Sequence, residues 1–206
     1  MARRQSLPES DRGQAHTLEA TVAALLLLTS VGIALQMTAV TPLSASTSSQ
    51  HLENQLEKTS KGVLASSAET GSLKDAVLYW NDTEGAFHNT SSNYYYTESA
   101  PQKIKFGKTL NRTLDERNVA YNVYVVFQSP SGEQQRRRMI YRGEPSEHAV
   151  TASHAVTIVE SDRLRDEDGN PTGTNVTNTS SIYFPDSTTS AGVYNHVRVE
   201  VVAWRI

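Results

Sequence analysis

The chain contains no cysteine. Disulfides, thiolate metal sites, a cysteine nucleophile and a lipidated cysteine are all excluded. The chain must hold together by core packing or by assembly. There is no excess of positive charge either. With 19 Lys and Arg against 22 Asp and Glu, the formal net charge is −3, so the global basic field of a nucleic-acid binder is missing. The sequence has no Gly-x-Ser-x-Gly, no His-Glu-x-x-His and no phosphate loop, so no enzyme is expected. One absence is local. Between Ala20 and Leu52 there is no Asp, Glu, Lys or Arg.

That uncharged stretch holds an apolar run from Ala20 to Val40, centred on Leu25-Leu-Leu-Leu28. As a helix it is roughly 30 Å long, which matches a bilayer core. The polar interruptions are Thr21, Thr29, Ser30, Gln36 and Thr38. Hydroxyls can bond back to the helix backbone and are tolerated in lipid, whereas Gln36 gains from a protein neighbour. Pro42 then disfavours continuation of the helix or kinks it. Arg3, Arg4 and Arg12 precede the run, and the next Lys or Arg is Lys58. The positive-inside rule therefore places the N-terminus in the cytoplasm and the rest outside, in a single-pass cell-membrane protein. The segment has three readings: a permanent anchor, a secretory signal cut near Ser44-Ala-Ser46, or a leader cut ahead of the helix.

The residues Asp11-Arg-Gly-Gln-Ala-His-Thr-Leu-Glu-Ala20 resemble the processing site of type IV pilin-like precursors. Arg12-Gly13-Gln14 resembles the start of haloarchaeal archaellin precursors, and the run up to Ala39-Val-Thr-Pro-Leu-Ser-Ala45 is similar to haloarchaeal pilin-like membrane proteins. The resemblance implies cleavage by a prepilin-type peptidase between Gly13 and Gln14. It implies self-association, or association with other pilin-like subunits, through the helix. Bacterial pilins carry Glu as the fifth mature residue. Glu19 is sixth after a cut at Gly13 and fifth after a cut at Gln14. Its carboxylate is favoured near a helix start, either as the candidate assembly residue or as an interfacial capping residue of an uncleaved anchor. Ala23, Ala24, Gly32 and Ala34 allow close helix packing.

From Leu43 to Ala68 a second helical stretch is expected, with Leu52, Leu56 and Val63 on one stripe and a Glu57–Lys61 pair elsewhere. Gly71 is the expected stop. In a pilin this is the outer half of the long helix, its stripe against the globular domain. Period-two patterning follows. Strands are expected at Leu73–Trp80, Lys103–Lys108, Val119–Phe127, Gln135–Tyr141, Ala149–Glu160 (its first half also fits a helix) and Val193–Ile206. Ser129-Pro-Ser-Gly-Glu133 closes a hairpin, and Asp166–Gly173 is a loop. The fold class is α+β: a long N-terminal transmembrane helix followed by a mainly antiparallel β-rich extracellular domain. The divisions are a cytoplasmic leader at 1–13, a transmembrane helix at 14–41, a helical stalk at 42–71 and the β-rich domain at 72–206.

Asn81, Asn89, Asn111, Asn175 and Asn178 begin N-x-Ser/Thr sequons, where chance gives roughly two. All five follow the membrane segment and are candidate glycan acceptors. Asp166-Glu-Asp-Gly-Asn170 lacks the distal Glu of a calcium loop and reads as a solvated acidic turn. His148 and His154 do not have a compact metal spacing. No metal and no cofactor is expected. Arg136-Arg-Arg138 alternates over two strand faces without an evident aromatic platform and reads as a solvated edge, so nucleic acid is not an expected partner. Tyr94-Tyr-Tyr96 reads as mixed core and surface tyrosines or as an adhesive patch. The function expected is a pilin-like structural subunit of a cell-surface filament or membrane-anchored assembly. The alternative is a single-pass, membrane-anchored adhesion or binding module that forms no filament.

Overall fold

The structure is a computed structural model that describes residues 9–90, 94–179, 181–187 and 192–205; the side chains of 9–15 and 37–48 lie outside the description. The chain divides into two compact units, Met1–Gln50 and His51–Ile206. One element belongs to both. Helix α1 covers Glu9–Glu69, 61 residues. It runs on through Pro42, where the sequence disfavours a helix. Proline cannot donate to the carbonyl four residues back, which costs a helix interior about 3 kcal/mol. Turns already formed on both sides remove the need for a new nucleus there.

In the second unit, α1 lays Leu56, Ser60, Val63, Leu64 and Ser67 into the core. These positions fall on one helix face. Leu52, expected on the same stripe, is 40% exposed. Lys61 and Glu57 pair at 2.6 Å on the solvent side. Gly71 ends the helix at φ 75°, a left-handed conformation that glycine adopts without steric cost. Its N–H donates to the Ala68 carbonyl at 3.0 Å.

Two expected strands are helices. Leu73–Trp80 gives helix α2, Ser72–Val77, because Leu73, Ala76 and Val77 bury at helical rather than alternating spacing. Lys103–Lys108 overlaps helix α3, Lys105–Thr113, which buries Phe106, Gly107 and Leu110. Gly107 is required there. A Cβ at that position would lie 1.9 Å from the Pro101 carbonyl oxygen. Between these helices, β1 (Trp80–Asn81) and β2 (Ala86–Phe87) form a small antiparallel ribbon.

The main sheet has four antiparallel strands. They are β3 (Val119–Gln128), β4 (Gln134–Ile140), β5 (Val150–Val159) and, after a small ribbon of β6 (Arg163–Arg165) and β7 (Pro171–Asn175), β8 (Val193–Arg205). Their order is β4-β3-β8-β5. The Asp166–Gly173 segment is thus a turn leading into a strand, not loop throughout. The final strand, last to be made, sits at the centre. Val123 pairs with Val201 and Val125 with Val199, and the inward face of β8 is Val197, Val199, Val201 and Ala203. β-Branched side chains suit this pleated, buried surface. The β3–β4 hairpin closes through Ser129–Glu133, with Gly132 at φ 84°. This sheet and the helices share one buried cluster, in which Val123, Val199 and Ile158 join Leu64, Leu73 and Leu110. The domain is a sheet backed by helices.

Candidate functional site

The first candidate site is the apolar part of α1. Leu25, Leu26, Leu27 and Leu28 are 62–69% exposed. Four consecutive residues in a helix point around its whole circumference, so this segment has no polar face. From His16 to Gln36 the helix is long and apolar enough to cross a membrane, and none of it is buried. Its hydroxyls are satisfied internally. Thr21 Oγ1 donates to the Leu18 carbonyl at 2.8 Å, Thr29 Oγ1 to Leu25 at 2.9 Å and Ser30 Oγ to Leu27 at 2.9 Å. Such back-bonding lets Ser and Thr sit in hydrocarbon.

Glu19 lies at the border of this segment. His16 Nδ1 approaches its Oε2 at 3.8 Å, and both side chains are more than 80% exposed. An exposed pair of that kind contributes little. The described helix already runs from Glu9, so more than two turns precede Glu19, which is not in the first. The helix dipole acts within the first turn and does not reach it in the uncut chain. Removal of the residues before Gln14 would bring Glu19 to the second turn. Arg12, Gly13 and Gln14 have helical backbone; their side chains lie outside the described residues.

The second candidate is a groove on the edge strand β4, about 300 Å³, lined by Tyr94, Tyr95, Arg136, Arg137 and Arg138. Strand alternation does split the arginines. Arg136 and Arg138 oppose Val126 and Tyr124 of β3, while Arg137 opposes Val125 on the inward face. The missed feature is aromatic. Arg136 lies 3.4 Å over the Tyr124 ring, Arg138 4.2 Å over Tyr141, and Arg137 5.5 Å over Trp80. Sequence spacing could not reveal this, because Tyr94–Tyr96 reach β4 from more than thirty positions away. Tyr96 is tied there by bonds between its backbone N–H and the Met139 carbonyl, 2.9 Å, and between Tyr141 N–H and the Tyr96 carbonyl, 2.8 Å.

Comparison with known proteins gives one positive result. The model of a family of unknown function, DUF7288, matches residues 12–203. The chain belongs to that family. The DUF7288 match takes in the exposed apolar segment and the β-sheet domain together, so both belong to the family's shared unit. No curated protein and no solved structure matches the chain.

The sequons of this DUF7288 chain differ in placement. Asn89 and Asn178 are exposed; Asn81, Asn111 and Asn175 are half-buried. Asn81 Oδ1 accepts from the N–H groups of Thr83 and Glu84 at 3.0 and 3.2 Å, closing the β1–β2 turn. Asn111 is in α3, and Asn89 holds a left-handed φ of 57°. The acidic turn is closed by its own backbone. Asp166 Oδ1 accepts from the N–H groups of Asn170 and Asp168, 2.8 and 3.0 Å. These bonds, that from Asn170 foremost, hold its pKa below the ordinary carboxylate value. A carboxylate already saturated by donors is a turn closure rather than a cation ligand. No cluster of metal-ligating side chains occurs among the described residues. His148 instead pairs with Glu53 at 2.8 Å.

Proposed function

We propose that this protein is a pilin-like structural subunit of a cell-surface filament or membrane-anchored assembly. The observation that carries this reading is the double use of one helix. Residues 16–36 expose an apolar surface on every side, while Leu56, Val63 and Leu64 of the same helix are core residues of a β-sheet domain. An ordinary tether has no need to supply core to the domain it carries. The pilin-like processing site at Arg12-Gly13-Gln14 and the small residues Ala23, Ala24, Gly32 and Ala34 support the same reading.

In this proposal the N-terminus is cytoplasmic, the domain after the apolar segment is extracellular, and a prepilin-type peptidase removes the leader after Gly13. Neighbouring copies, or other pilin-like subunits, pack through the exposed helix, with Glu19 meeting a cationic group of a neighbour. Exposed Asn89 and Asn178 are the best-placed glycan acceptors. No catalytic role is assigned. Mass spectrometry of the membrane-extracted protein tests the processing step; the expected first peptide begins at Gln14. A retained Met1 or Ala2 peptide would count against it. Sheared cell-surface material tests assembly. The protein is expected there, and Glu19→Gln is expected to stay in the membrane but leave the sheared fraction. Membrane retention with nothing in the sheared fraction of the wild-type chain points instead to an anchored binding module.

A further inference from the structure

The β4 groove has a composition that solvation alone does not explain. Arg136 is partly neutralised, its Nη2 lying 3.3 Å from Glu200. Arg137 and Arg138 have no carboxylate within ion-pair distance among the described residues. Arg138 is instead held between rings, 4.2 Å from the centre of Tyr141 and 5.7 Å from that of Tyr95. The Tyr141 hydroxyl donates to Glu144 Oε1 at 2.5 Å, which fixes the ring. A guanidinium stacked on a ring keeps its N–H edge free, because the ring takes its face. The site thus presents a fixed fork of donors.

Tyr94 supplies a second, independent feature. Its backbone is left-handed at φ 61°, a conformation costly for a bulky residue. The ring that this conformation holds is 54% exposed. Strain kept at an exposed aromatic contributes nothing to a core. Such strain gathers at binding positions, where the surroundings over-determine it.

We infer that this groove binds an acidic saccharide, a glycan bearing uronate carboxylates. Arg138 takes the carboxylate in bidentate fashion, and Arg137 adds positive potential beside it. The exposed face of Tyr94 receives the apolar face of the sugar ring, while tyrosine hydroxyls meet its hydroxyls. A single-stranded nucleic acid is the competing polyanion. It needs successive ring faces on which successive bases stack. Here Tyr141 is capped by Arg138 and stands edge-on to Tyr95, at 88° and 6.0 Å. Tyr94 is the most exposed of these rings, and one free ring suits one sugar. This inference does not depend on filament formation.

The test uses the full chain in detergent, titrated by calorimetry with oligogalacturonate, a neutral dextran oligomer and an oligothymidylate. Saturable binding to oligogalacturonate, weakened by salt, is expected. Arg138→Gln and Tyr94→Asn should each weaken it about tenfold, the loss of one charge-assisted contact; asparagine is chosen because it tolerates the left-handed backbone. Arg117→Gln, at an exposed position of the turn at 115–117, should bind as wild type. Arg138→Gln and Arg117→Gln should keep the wild-type thermal midpoint, and Tyr94→Asn should keep or raise it. The inference is overturned by absence of saturable binding, by equal binding of dextran, by tighter binding of the oligothymidylate, or by unchanged affinity in both site variants.

Discussion

Replacing Leu64 with alanine tests whether the end of α1 belongs to the fold. Leu64 has no exposed surface and lies in the same buried cluster as the β3 and β8 valines. Truncating a fully buried leucine removes its transfer free energy and leaves a cavity, together about 3 kcal/mol. A domain of this size has a total stability of roughly 5–15 kcal/mol. Each kcal/mol lowers its melting midpoint by about 2–4 °C, so Leu64→Ala should lower it by about 6–12 °C. The readout is near-ultraviolet circular dichroism of the full chain in detergent. Trp80 gives the signal, being buried with Tyr183 and Phe87 rings 4.8 and 5.2 Å away. Leu52→Ala is the matched control. That side chain is 40% exposed, and its loss should cost less than about 1 kcal/mol. If the two variants melt within 2 °C of each other, α1 is a tether and the core assignment is wrong.

Ser60→Ala should leave the midpoint unchanged or raise it. The Ser60 hydroxyl is buried without a hydrogen-bond partner, and such a group costs about 1–3 kcal/mol. Gly107→Ala should destabilise by about 3 kcal/mol in urea denaturation, since the new methyl meets the Pro101 backbone and one of the two must move. Burial raises the hydroxyl pKa of Tyr96, Tyr121 and Tyr183 above the ordinary value of 10.0, with Asp115 adding to the rise at Tyr121. A raised acid binds its proton more tightly folded than unfolded. The stability these tyrosines contribute is therefore complete below about pH 10 and falls as pH rises above it. A spectrophotometric tyrosinate titration should show these three ionising only together with alkaline unfolding.

The legible parts of the fold are those where pattern and length agree. Strands β3, β5 and β8 carry ten or more residues of β-branched or alternating sequence; no helix matches that pattern in β3 or β8, and in β5 the second half decides against the helix that the first half also fits. The short segments misled. Leu73–Trp80 ends in an apolar, aromatic run that suits a strand, yet Leu73, Ala76 and Val77 share a helix face, and eight residues cannot separate the two periods. Lys103-Ile-Lys-Phe-Gly-Lys108 alternates cleanly. The helical signal there lies downstream, in Phe106, Leu110 and Leu114, all fully buried. The groove was legible only in halves. Arg136–Arg138 and Tyr94–Tyr96 each stand out in the sequence, but the bridge between Tyr96 and Ile140 that joins them is a tertiary fact. The same holds for Asp115, which accepts hydrogen bonds from Tyr121 and from Arg142, the latter twenty-seven positions away.

Helix α1 meets two environments with one kind of side chain. Leu64 is satisfied by the sheet. In the apolar part, nine large side chains from Leu18 to Leu35 are 48–69% exposed. Burying each is worth about 1.5–3 kcal/mol, so leaving all nine in water forfeits roughly 15 kcal/mol or more. That matches or exceeds the whole stability of a typical domain. Water is therefore a poor solvent for this segment, and lipid or neighbouring protein suits it better. The leucines do not choose between those two, because both satisfy them equally. Glu19 does. A carboxylate drawn toward hydrocarbon is costly alone, and a charged or hydrogen-bonding group on an adjacent helix relieves that cost. His16 at 3.8 Å is too exposed and too distant to do so. The apolar face thus suits an anchor, and in the pilin-like proposal the acidic residue at its border is the one that meets a neighbour.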